Sequence, residues 1–415
     1  MKFSRIIIAV TILGALTLPL SAQGVKFKIL HNFGATGDGS IPYGPLLFDS
    51  KGNLYGTTTD GGTGQCSDYG CGTVFELTPH TNGIWIEKIL HSFAAGTDGS
   101  APWGGLLLDS HGNLYGTLDG DSSFATSGVF ELNLGAGGYK NTVLYDSFAG
   151  PGLVFDKLGN LYGDIGEGAY KLGAIGELSP SPKAWTYTDL YNYCATYCPD
   201  GTGEPDPPVW DNDGNLWGVT FEGGIAQSPC VNRAGCGVIF EMTPNGDGTW
   251  TYNLMHQFAS SSTDGQEPYG GLVMDSAGNF YGSTLGGGTS GYGTIFEFSN
   301  VGGVWEGTVL YNFLLATCKQ GCIPEGTLAI DASGNLYGTA SGGRNSCAGY
   351  SCGVIFKLVP QSNGTWTYTT LYNFSETSGG MEPFHGVILD SKGNLYGVTS
   401  YFGEYQVGTA FELIQ

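Results

Sequence analysis

The pentapeptide Gly52-Asn-Leu-Tyr-Gly56 occurs seven times in this chain, unchanged or with a single substitution. Trp replaces Tyr in the fourth copy, and Phe replaces Leu in the fifth. Successive copies lie 47 to 64 residues apart, a period that predicts a repeat architecture. The copies begin at Gly52, Gly112, Gly159, Gly214, Gly278, Gly334 and Gly393.

Each repeat contains four short segments with strand-like sequence. In the first repeat they cover residues 44–49, 53–58, 72–79 and 85–93, and the sixth repeat has the same four segments. Units of this length with four antiparallel strands are typical of propeller blades. We therefore predict an all-β fold, a seven-bladed β-propeller whose blades 1 to 7 are numbered by their motif copies.

The two ends of the chain complement each other. The last repeat stops at Gln415 after its third strand, whereas residues 25–33 match the fourth-strand pattern before the first repeat begins. We expect this N-terminal strand to pair into the last blade and close the ring. Closure would remove a sheet edge that otherwise invites aggregation.

The first 22 residues have the pattern of a secretory signal peptide. A short basic region precedes an apolar run over residues 6–20, and small residues offer a cleavage point near Ala22. The run is too short for a membrane anchor. We expect residues 23–415 to form a single propeller domain, secreted to the extracellular or periplasmic space as a monomer.

The charge of the chain limits its partners. Lys and Arg number 15 against 37 Asp and Glu, which gives a net charge of −22. Such an acidic surface repels phosphate backbones and anionic lipid head groups. We therefore expect neither nucleic-acid binding nor membrane insertion.

An aspartate stands three residues before each motif copy, as in Asp49-Ser-Lys-Gly52-Asn53. Its carboxylate can accept backbone N–H groups of a tight turn, and Gly52 can take the left-handed conformation that the turn needs. Seven carboxylates could also form a metal or acid–base ring, but recurrence in every blade favours turn formation. These residues are Asp49, Asp109, Asp156, Asp211, Asp275, Asp331 and Asp390.

One of these turns, Asp211-Asn-Asp213, resembles the start of a calcium loop. The bidentate glutamate of such loops is missing further along the chain. The sequence therefore predicts no metal and no other cofactor, with calcium as the one ion that this segment leaves open.

The aspartate turns join first and second strands, so they should share one face of the propeller, the turn face. The loops between second and third strands and the links between blades should share the opposite face, the loop face. An even number of cysteines in an exported chain predicts disulfides on that face, whereas zinc sites would need His ligands that the close pairs lack. The pairs are Cys66 with Cys71, Cys194 with Cys198, Cys230 with Cys236, Cys318 with Cys322, and Cys347 with Cys352.

The links carry a second pattern, Asp-Gly-x-x-Pro-aromatic-Gly, with complete copies starting at Asp38, Asp98 and Asp264. If the first strands line the axis, the aromatic residues surround the mouth of a channel and glutamates lie beside them. This arrangement could stack a sugar ring or hold a cationic ligand, or the aromatic side chains could pack between blades. The residues concerned are Tyr43, Trp103, Tyr269, Phe384, Glu204, Glu267, Glu325 and Glu382.

Catalytic motifs are scarce. The sequence has no Gly-x-Ser-x-Gly elbow, no His-Glu-x-x-His and no phosphate-binding glycine loop. His385 stands at the predicted mouth and, with Glu382 nearby, is a weak candidate for a general base. The scarcity favours a non-catalytic protein.

The long motif Gly-Gly-Leu-x-x-Asp-x-x-Gly-Asn-Leu-Tyr-Gly-Thr, followed by Gly-x-x-Phe-Glu-Leu-Thr-Pro and Trp-x-x-x-x-Leu-Tyr-x-Phe, resembles the GloVer (Gloeo/Verruco) tandem repeat of secreted bacterial proteins. The resemblance covers residues 25–415. It implies an exported repeat protein and assigns no activity. A looser likeness to NHL-type β-propellers rests on the Asp-x-x-Gly-Asn strand pair.

Two functions remain. The first is a secreted, non-catalytic propeller that binds an extracellular glycan, peptide or protein through the disulfide-bonded loop face. The alternative is an exported hydrolase or lyase that acts on polysaccharide or lactone, with acidic residues at the mouth and a divalent cation. Non-repeating polar residues that meet at the axis would favour the enzyme, whereas a ring of equivalent residues would favour binding or a scaffold.

Overall fold

In the computed structural model, the strands form seven antiparallel blade sheets arranged around a central axis. The predicted all-β, seven-bladed propeller is confirmed. The predicted signal peptide, residues 1–22, lies outside the described residues. The structure describes residues 24–66, 69–120, 126–193, 198–203, 206–224, 235–259, 261–315, 318, 321–342, 346–347, 350–376 and 379–415.

The first strand of each blade has two residues: Leu47–Phe48, Leu107–Leu108, Val154–Phe155, Val209–Trp210, Val273–Met274, Ala329–Ile330 and Ile388–Leu389. The second strands are Leu54–Gly61, Leu114–Leu118, Leu161–Asp164, Leu216–Thr220, Phe280–Gly287, Leu336–Gly342 and Leu395–Thr399. The third strands are Thr73–Pro79, Gly128–Gly135, Ala174–Ser179, Val238–Pro244, Thr294–Val301, Val354–Pro360 and Thr409–Ile414. The fourth strands are Trp85–Ser92, Gly138–Asp146, Thr186–Asn192, Trp250–Gln257, Val304–Asn312, Trp366–Asn373 and, for blade 7, Lys26–Asn32.

The core lies between the blades, because both faces of each sheet are covered by neighbours. Leu54 and Phe75 of blade 1, for example, are fully buried and share a cluster with Tyr396 of blade 7. The last glycine of the motif, Gly56, leaves room for this packing, since a Cβ there would lie 2.5 Å from the Phe75 ring. The same contact with an aromatic ring occurs in blades 2, 5, 6 and 7, so in these blades the last glycine of the motif leaves the space that the ring needs.

The N-terminal strand closes the ring. Lys26–Asn32 pairs antiparallel with Thr409–Ile414, the third strand of blade 7. A register shift between Ile29 and His31 reproduces the bulge that the fourth strand of blade 1 makes against Val74 and Phe75. The strand thus takes the same place in blade 7 as a fourth strand takes in the other blades, which confirms the predicted closure.

The links differ from the prediction. In blades 1, 5 and 6 part of the link forms an additional strand that pairs with the end of the second strand: Gly39–Pro42, Gly265–Pro268 and Cys322–Pro324. The predicted first strand over residues 44–49 is shorter, because residues 44–46 turn toward the neighbouring blade at the axis.

Other regular structure in the described residues is minor. It consists of a 3-10 turn, Gly288–Ser290, and a small hairpin of Ser346–Cys347 with Tyr350–Ser351. No helix in this part of the chain is long and apolar enough to cross a membrane.

Candidate functional site

The aspartate turns have the same geometry in every blade. In the first, Asp49 Oδ1 accepts the N–H groups of Lys51 at 2.8 Å and Asn53 at 2.9 Å, while Oδ2 accepts the Asn53 side-chain amide at 2.8 Å. For Asp109, Asp211, Asp275 and Asp331, burial opposes ionisation, but these hydrogen bonds outweigh it and lower the pKa. The carboxylates are satisfied by the turn itself.

Two disulfides lie on the loop face within the described residues, Cys66–Cys71 and Cys318–Cys322. Cys198, Cys236 and Cys352 are buried there. The other cysteine in each of those predicted pairs is Cys194, Cys230 or Cys347. The first two lie outside the described residues, as does the side chain of Cys347.

Each complete link clamps its blade to the preceding one. Ala101, before Pro102, has a φ of 50° and donates its N–H to the Cys71 carbonyl at 2.9 Å. The Pro102 ring packs against Gly72, since a Cβ added to Gly72 would lie only 2.6 Å from Pro102 Cδ. The left-handed residue, its bond and the proline recur at Ile41, Glu267, Ile323 and Glu382. The proline therefore fills the gap between blades, and the aromatic residue that follows it is only half-buried.

The residue after the aromatic position brings the blades together at the axis. A Cβ on Gly44, Gly104, Gly270 or Gly326 would overlap the backbone of the next link. This position, aligned over the seven links and here called the axial ring, is occupied by Gly44, Gly104, Pro151, Asp206, Gly270, Gly326 and His385. Asp206 and His385 are thus the members with an ionisable side chain.

Asp206 connects three blades. It lies in the link of blade 4 with 8% of its surface exposed. Its carboxylate accepts the N–H of Gly271 in blade 5 at 3.0 Å and the hydroxyl of Thr327 in blade 6. Burial raises the pKa of Asp206 to about 6, although both hydrogen bonds oppose the rise.

His385 approaches the axis from blade 7 and is 7% exposed. Its ring centroid lies 4.2 Å from that of Tyr43 in blade 1, and Phe384 lies 6.0 Å from the same ring. Burial lowers the pKa of His385 to about 4, so the imidazole is neutral. An enclosed imidazole with so low a pKa is a weaker general base than the sequence suggested.

Tyr43 links the two sides of the axis. Burial raises its pKa, as does a hydrogen bond with Tyr269 of blade 5, with smaller effects from the charges of Glu325 and Asp206. Side chains from blades 1, 4, 5, 6 and 7 therefore lie within electrostatic range of one tyrosine. The side chains of Tyr43, Tyr269 and Phe384 thus come close together from the links of blades 1, 5 and 7.

Glu325 replaces the aromatic residue in blade 6. The Ser341 hydroxyl donates to its Oε1 at 3.1 Å. Burial raises the pKa of Glu325 to about 7, which the Ser341 bond opposes and the charge of Glu382 reinforces. Burial also raises the pKa of Glu382. Glu325 is therefore partly protonated near neutral pH.

Three enclosed polar atoms near the axis have no hydrogen-bond partner among the described residues: Trp103 Nε1, Glu325 Oε2 and His385 Nδ1. They come from blades 2, 6 and 7. Buried polar atoms are normally paired, so each one in a native fold calls for a water, an ion or a ligand. We call the region formed by these three residues with Tyr43, Tyr269 and Phe384 the axial mouth.

The sequence pattern did not identify every residue at the axis. It selected Glu204, which lies outside the described residues, and overlooked Asp206 two positions later. Aligning the blade 4 link on its first strand would have revealed an Asp where five other blades have Gly or Pro. Thr327, which donates to Asp206, carries no such signal, because its role depends on a blade two places away.

A cavity of about 580 Å³ lies on the turn face between blades 3 and 4. Its walls include Tyr162, Trp210 and Trp250. Packing of the motif tyrosine on the tryptophan of the next fourth strand recurs elsewhere, as in Tyr115 with Trp185 at 5.9 Å. We therefore attribute these walls to blade packing and place the candidate site at the axial mouth.

The comparisons with known proteins agree with this architecture. The family model described as the Gloeobacter/Verrucomicrobia repeat matches residues 16–232 and 230–415. No curated protein matches the sequence.

Among solved structures, the chain is similar to the extracellular domain of a proposed hybrid two-component system from B. thetaiotaomicron, with 10% identity and a TM-score of 0.56 over 92% of this chain. A structure from the same organism, described as a proposed one-component system, gives 13% identity and a TM-score of 0.54 over 94% of this chain. The matches span 39% and 41% of those two chains. A proposed oxidoreductase (glucose dehydrogenase) of Thermus thermophilus gives 17% identity and a TM-score of 0.45, covering 94% of this chain and all of that one. At these identities the likeness shows the fold alone.

Proposed function

Because the chain belongs to the Gloeobacter/Verrucomicrobia repeat family and folds as a closed seven-bladed propeller, we propose that it is an exported, non-catalytic protein that binds a glycan at the axial mouth. The glycan is the ligand that best fits the unpartnered polar atoms and half-buried aromatic rings of the axial mouth. A peptide or a folded protein would be the alternative ligand on the same face.

The observation that carries this proposal is the set of unpartnered atoms. Trp103 Nε1 can only donate, Glu325 Oε2 accepts when ionised, and His385 Nδ1 accepts or donates according to its tautomer. A sugar hydroxyl both donates and accepts, so a hydroxyl-rich ligand can satisfy all three. The half-buried rings of Tyr43 and Phe384 add apolar surface for the sugar face.

Export is supported by the covalent structure. Cys66–Cys71 and Cys318–Cys322 are disulfides, which form and persist in oxidising compartments. Both lie on the loop face, where Cys71 also accepts the clamping N–H of Ala101. The signal peptide predicted from the sequence would deliver the chain to such a compartment.

Thermal unfolding of residues 23–415 against a panel of neutral and acidic oligosaccharides tests the proposal, with calorimetry for any hit. Trp103→Phe and Glu325→Gln should abolish the stabilisation that a bound sugar gives. Trp185→Phe, on the turn face, is the matched control and should keep it. Equal stabilisation of all variants, or no shift with any sugar in the panel, would overturn the glycan assignment.

A specific observation also favours the alternative, an exported hydrolase or lyase. The axial carboxyls do not repeat, and burial raises the pKa of Glu325 to about 7, a value suited to acid–base catalysis. Against it, Asp206 is bonded to Gly271 and Thr327 and His385 is enclosed. Turnover of chromogenic glycosides, polysaccharides or lactones that Glu325→Gln abolishes would support the enzyme; binding without turnover would support the first function.

A further inference from the structure

A second group of ionisable side chains lies away from the axial mouth, at the junction where the ring closes. His31 belongs to the N-terminal strand, Asp38 to the link of blade 1, and Glu87 to the fourth strand of blade 1. His31 Nε2 lies 3.0 Å from Asp38 Oδ2 and 3.8 Å from Glu87 Oε1. One ligand atom from each residue falls within 4.8 Å of the others.

We propose that His31, Asp38 and Glu87 bind a divalent transition-metal ion, best matched by Zn²⁺, that fastens the N-terminal strand to blade 1. Zinc bonds to nitrogen and oxygen of 2.0–2.2 Å in a tetrahedron separate neighbouring ligand atoms by about 3.4 Å. The distances from His31 Nε2 to Asp38 Oδ2, 3.0 Å, and to Glu87 Oε1, 3.8 Å, are slightly shorter and slightly longer than this value. An imidazole beside two carboxylates favours such an ion over Ca²⁺ or Mg²⁺, which prefer oxygen ligands alone.

The repeat provides internal comparisons. The His–Asp contact recurs at two other junctions, His91 with Asp98 and His256 with Asp264, each at 3.1 Å. The residue equivalent to Glu87 is Asn141 in blade 2 and Gly307 in blade 5. The His–Asp pair is therefore a structural element of the fold, and the added glutamate is what distinguishes the closing junction.

The remaining four junctions have no histidine and instead stack two aromatic rings with centroids 4.0 to 4.4 Å apart. The stacked pairs are Tyr145 with Tyr187, Tyr191 with Tyr252, Tyr311 with Tyr368, and Tyr372 with Phe27.

The glutamate is poorly matched to this junction without a cation. Asn141 donates its side-chain amide to Asp98 at 2.9 Å, a bond that an ionised Glu87 cannot make to Asp38. Glu87 Oε1 is enclosed and has no hydrogen-bond partner among the described residues. A bound cation would remove this mismatch by neutralising both carboxylates.

The test uses untagged residues 23–415, treated with chelator and then titrated with Zn²⁺ by calorimetry and thermal unfolding. We expect one Zn²⁺ per wild-type chain and a melting temperature that rises with Zn²⁺ concentration. Glu87→Gln should lose both effects. Without metal, Glu87→Gln should melt at or above the wild-type temperature, because its amide reproduces the contact that Asn141 makes in blade 2.

A gain-of-function variant makes the test independent of folding defects. Asn141→Glu places the third carboxylate beside His91 and Asp98 and should raise the stoichiometry to two Zn²⁺ per chain. Equal zinc stabilisation of the wild type and Glu87→Gln would place the ion elsewhere on the acidic surface and overturn the proposal. The absence of any zinc-dependent shift in the wild type would do the same. Neither result bears on sugar binding at the axial mouth.

Discussion

The turn face and the axial mouth use carboxylates in opposite ways. On the turn face, each aspartate binds the backbone and the asparagine of its own turn, as Asp331 does with Ser333 and Asn335 at 2.7 to 2.9 Å. At the axial mouth, Glu325 keeps one oxygen unpaired. The first arrangement occurs in all seven blades, whereas the second occurs in one.

This difference separates acidic residues that stabilise every repeat from acidic residues that occur in a single repeat. A carboxylate that recurs with its hydrogen-bond partners stabilises each blade. The lowered pKa of Asp331 reflects this, because the hydrogen bonds favour its ionised form. A carboxylate that breaks the repeat and keeps one enclosed oxygen without a partner, as Glu325 does, makes the fold less stable at neutral pH. Groups that lower the stability of a fold are often found at functional sites, so a bound ligand would explain the presence of such a carboxylate.

The largest effect should come from the packing of the axial ring. Gly104→Ala would place a methyl group against the Pro151 carbonyl and should destabilise the protein by about 3 kcal/mol or more, measured by denaturant unfolding. On the turn face, Gly52 has a φ of 85° but open space around it, so Gly52→Ala should lose only about 1 kcal/mol. Equal losses would show that the axis is looser than the structure indicates.

Removing a turn aspartate should have the next largest effect. Asp275→Ala loses hydrogen bonds to Ala277 and Asn279 and should cost about 2 kcal/mol at pH 7. Because the pKa of Asp275 in the folded state lies below its usual 3.8, the contribution is present above that value and disappears as the pH falls through the folded-state pKa. A difference between wild type and variant that persisted at pH 2 would contradict this account.

At the axial mouth, removing a carboxylate should have the opposite effect on the free energy of unfolding. The raised pKa of Glu325, about 7, means that the folded state favours the protonated carboxyl; this contribution is present below the usual value of 4.5 and is lost as the pH rises through 7. Glu325→Gln should therefore be more stable than the wild type by about 1 kcal/mol at pH 8 and equal to it at pH 4. Destabilisation by Glu325→Gln at pH 8 would show that the ionised carboxylate has a stabilising partner besides Ser341.

The smallest effect on stability should come from Trp103→Phe, within about 0.5 kcal/mol, because its Nε1 has no described partner to lose. Sugar binding, in contrast, should be abolished. Trp217→Phe, on the turn side, loses the bond from Nε1 to Asp211 at 3.0 Å and leaves a cavity at a fully buried site, so it should cost about 2 kcal/mol or more. Similar unfolding free energies for the two variants would remove the distinction between the two regions.

Much of the fold could be predicted because its signals are local and repeated. The turn at Asp49 needs only the five residues up to Asn53, and seven copies of it indicate seven blades. Closure could also be predicted, since residues 25–33 provide the strand that the last repeat lacks. The candidate site was predicted less completely: the aromatic residues were identified from the link motif, but Asp206 and Thr327 were not.

The amino-acid sequence by itself determined the blades, their number and the closure of the ring, because each depends on hydrogen bonds and packing within one repeat or between neighbouring repeats. Only the tertiary structure decided which link residues meet at the axis. Asp206 reaches Thr327 across an intervening blade, and Tyr43 of blade 1 meets His385 of blade 7 because the chain has gone once around the ring. Such contacts depend on the radius of the closed ring and on the angle between blades, and no single repeat specifies either.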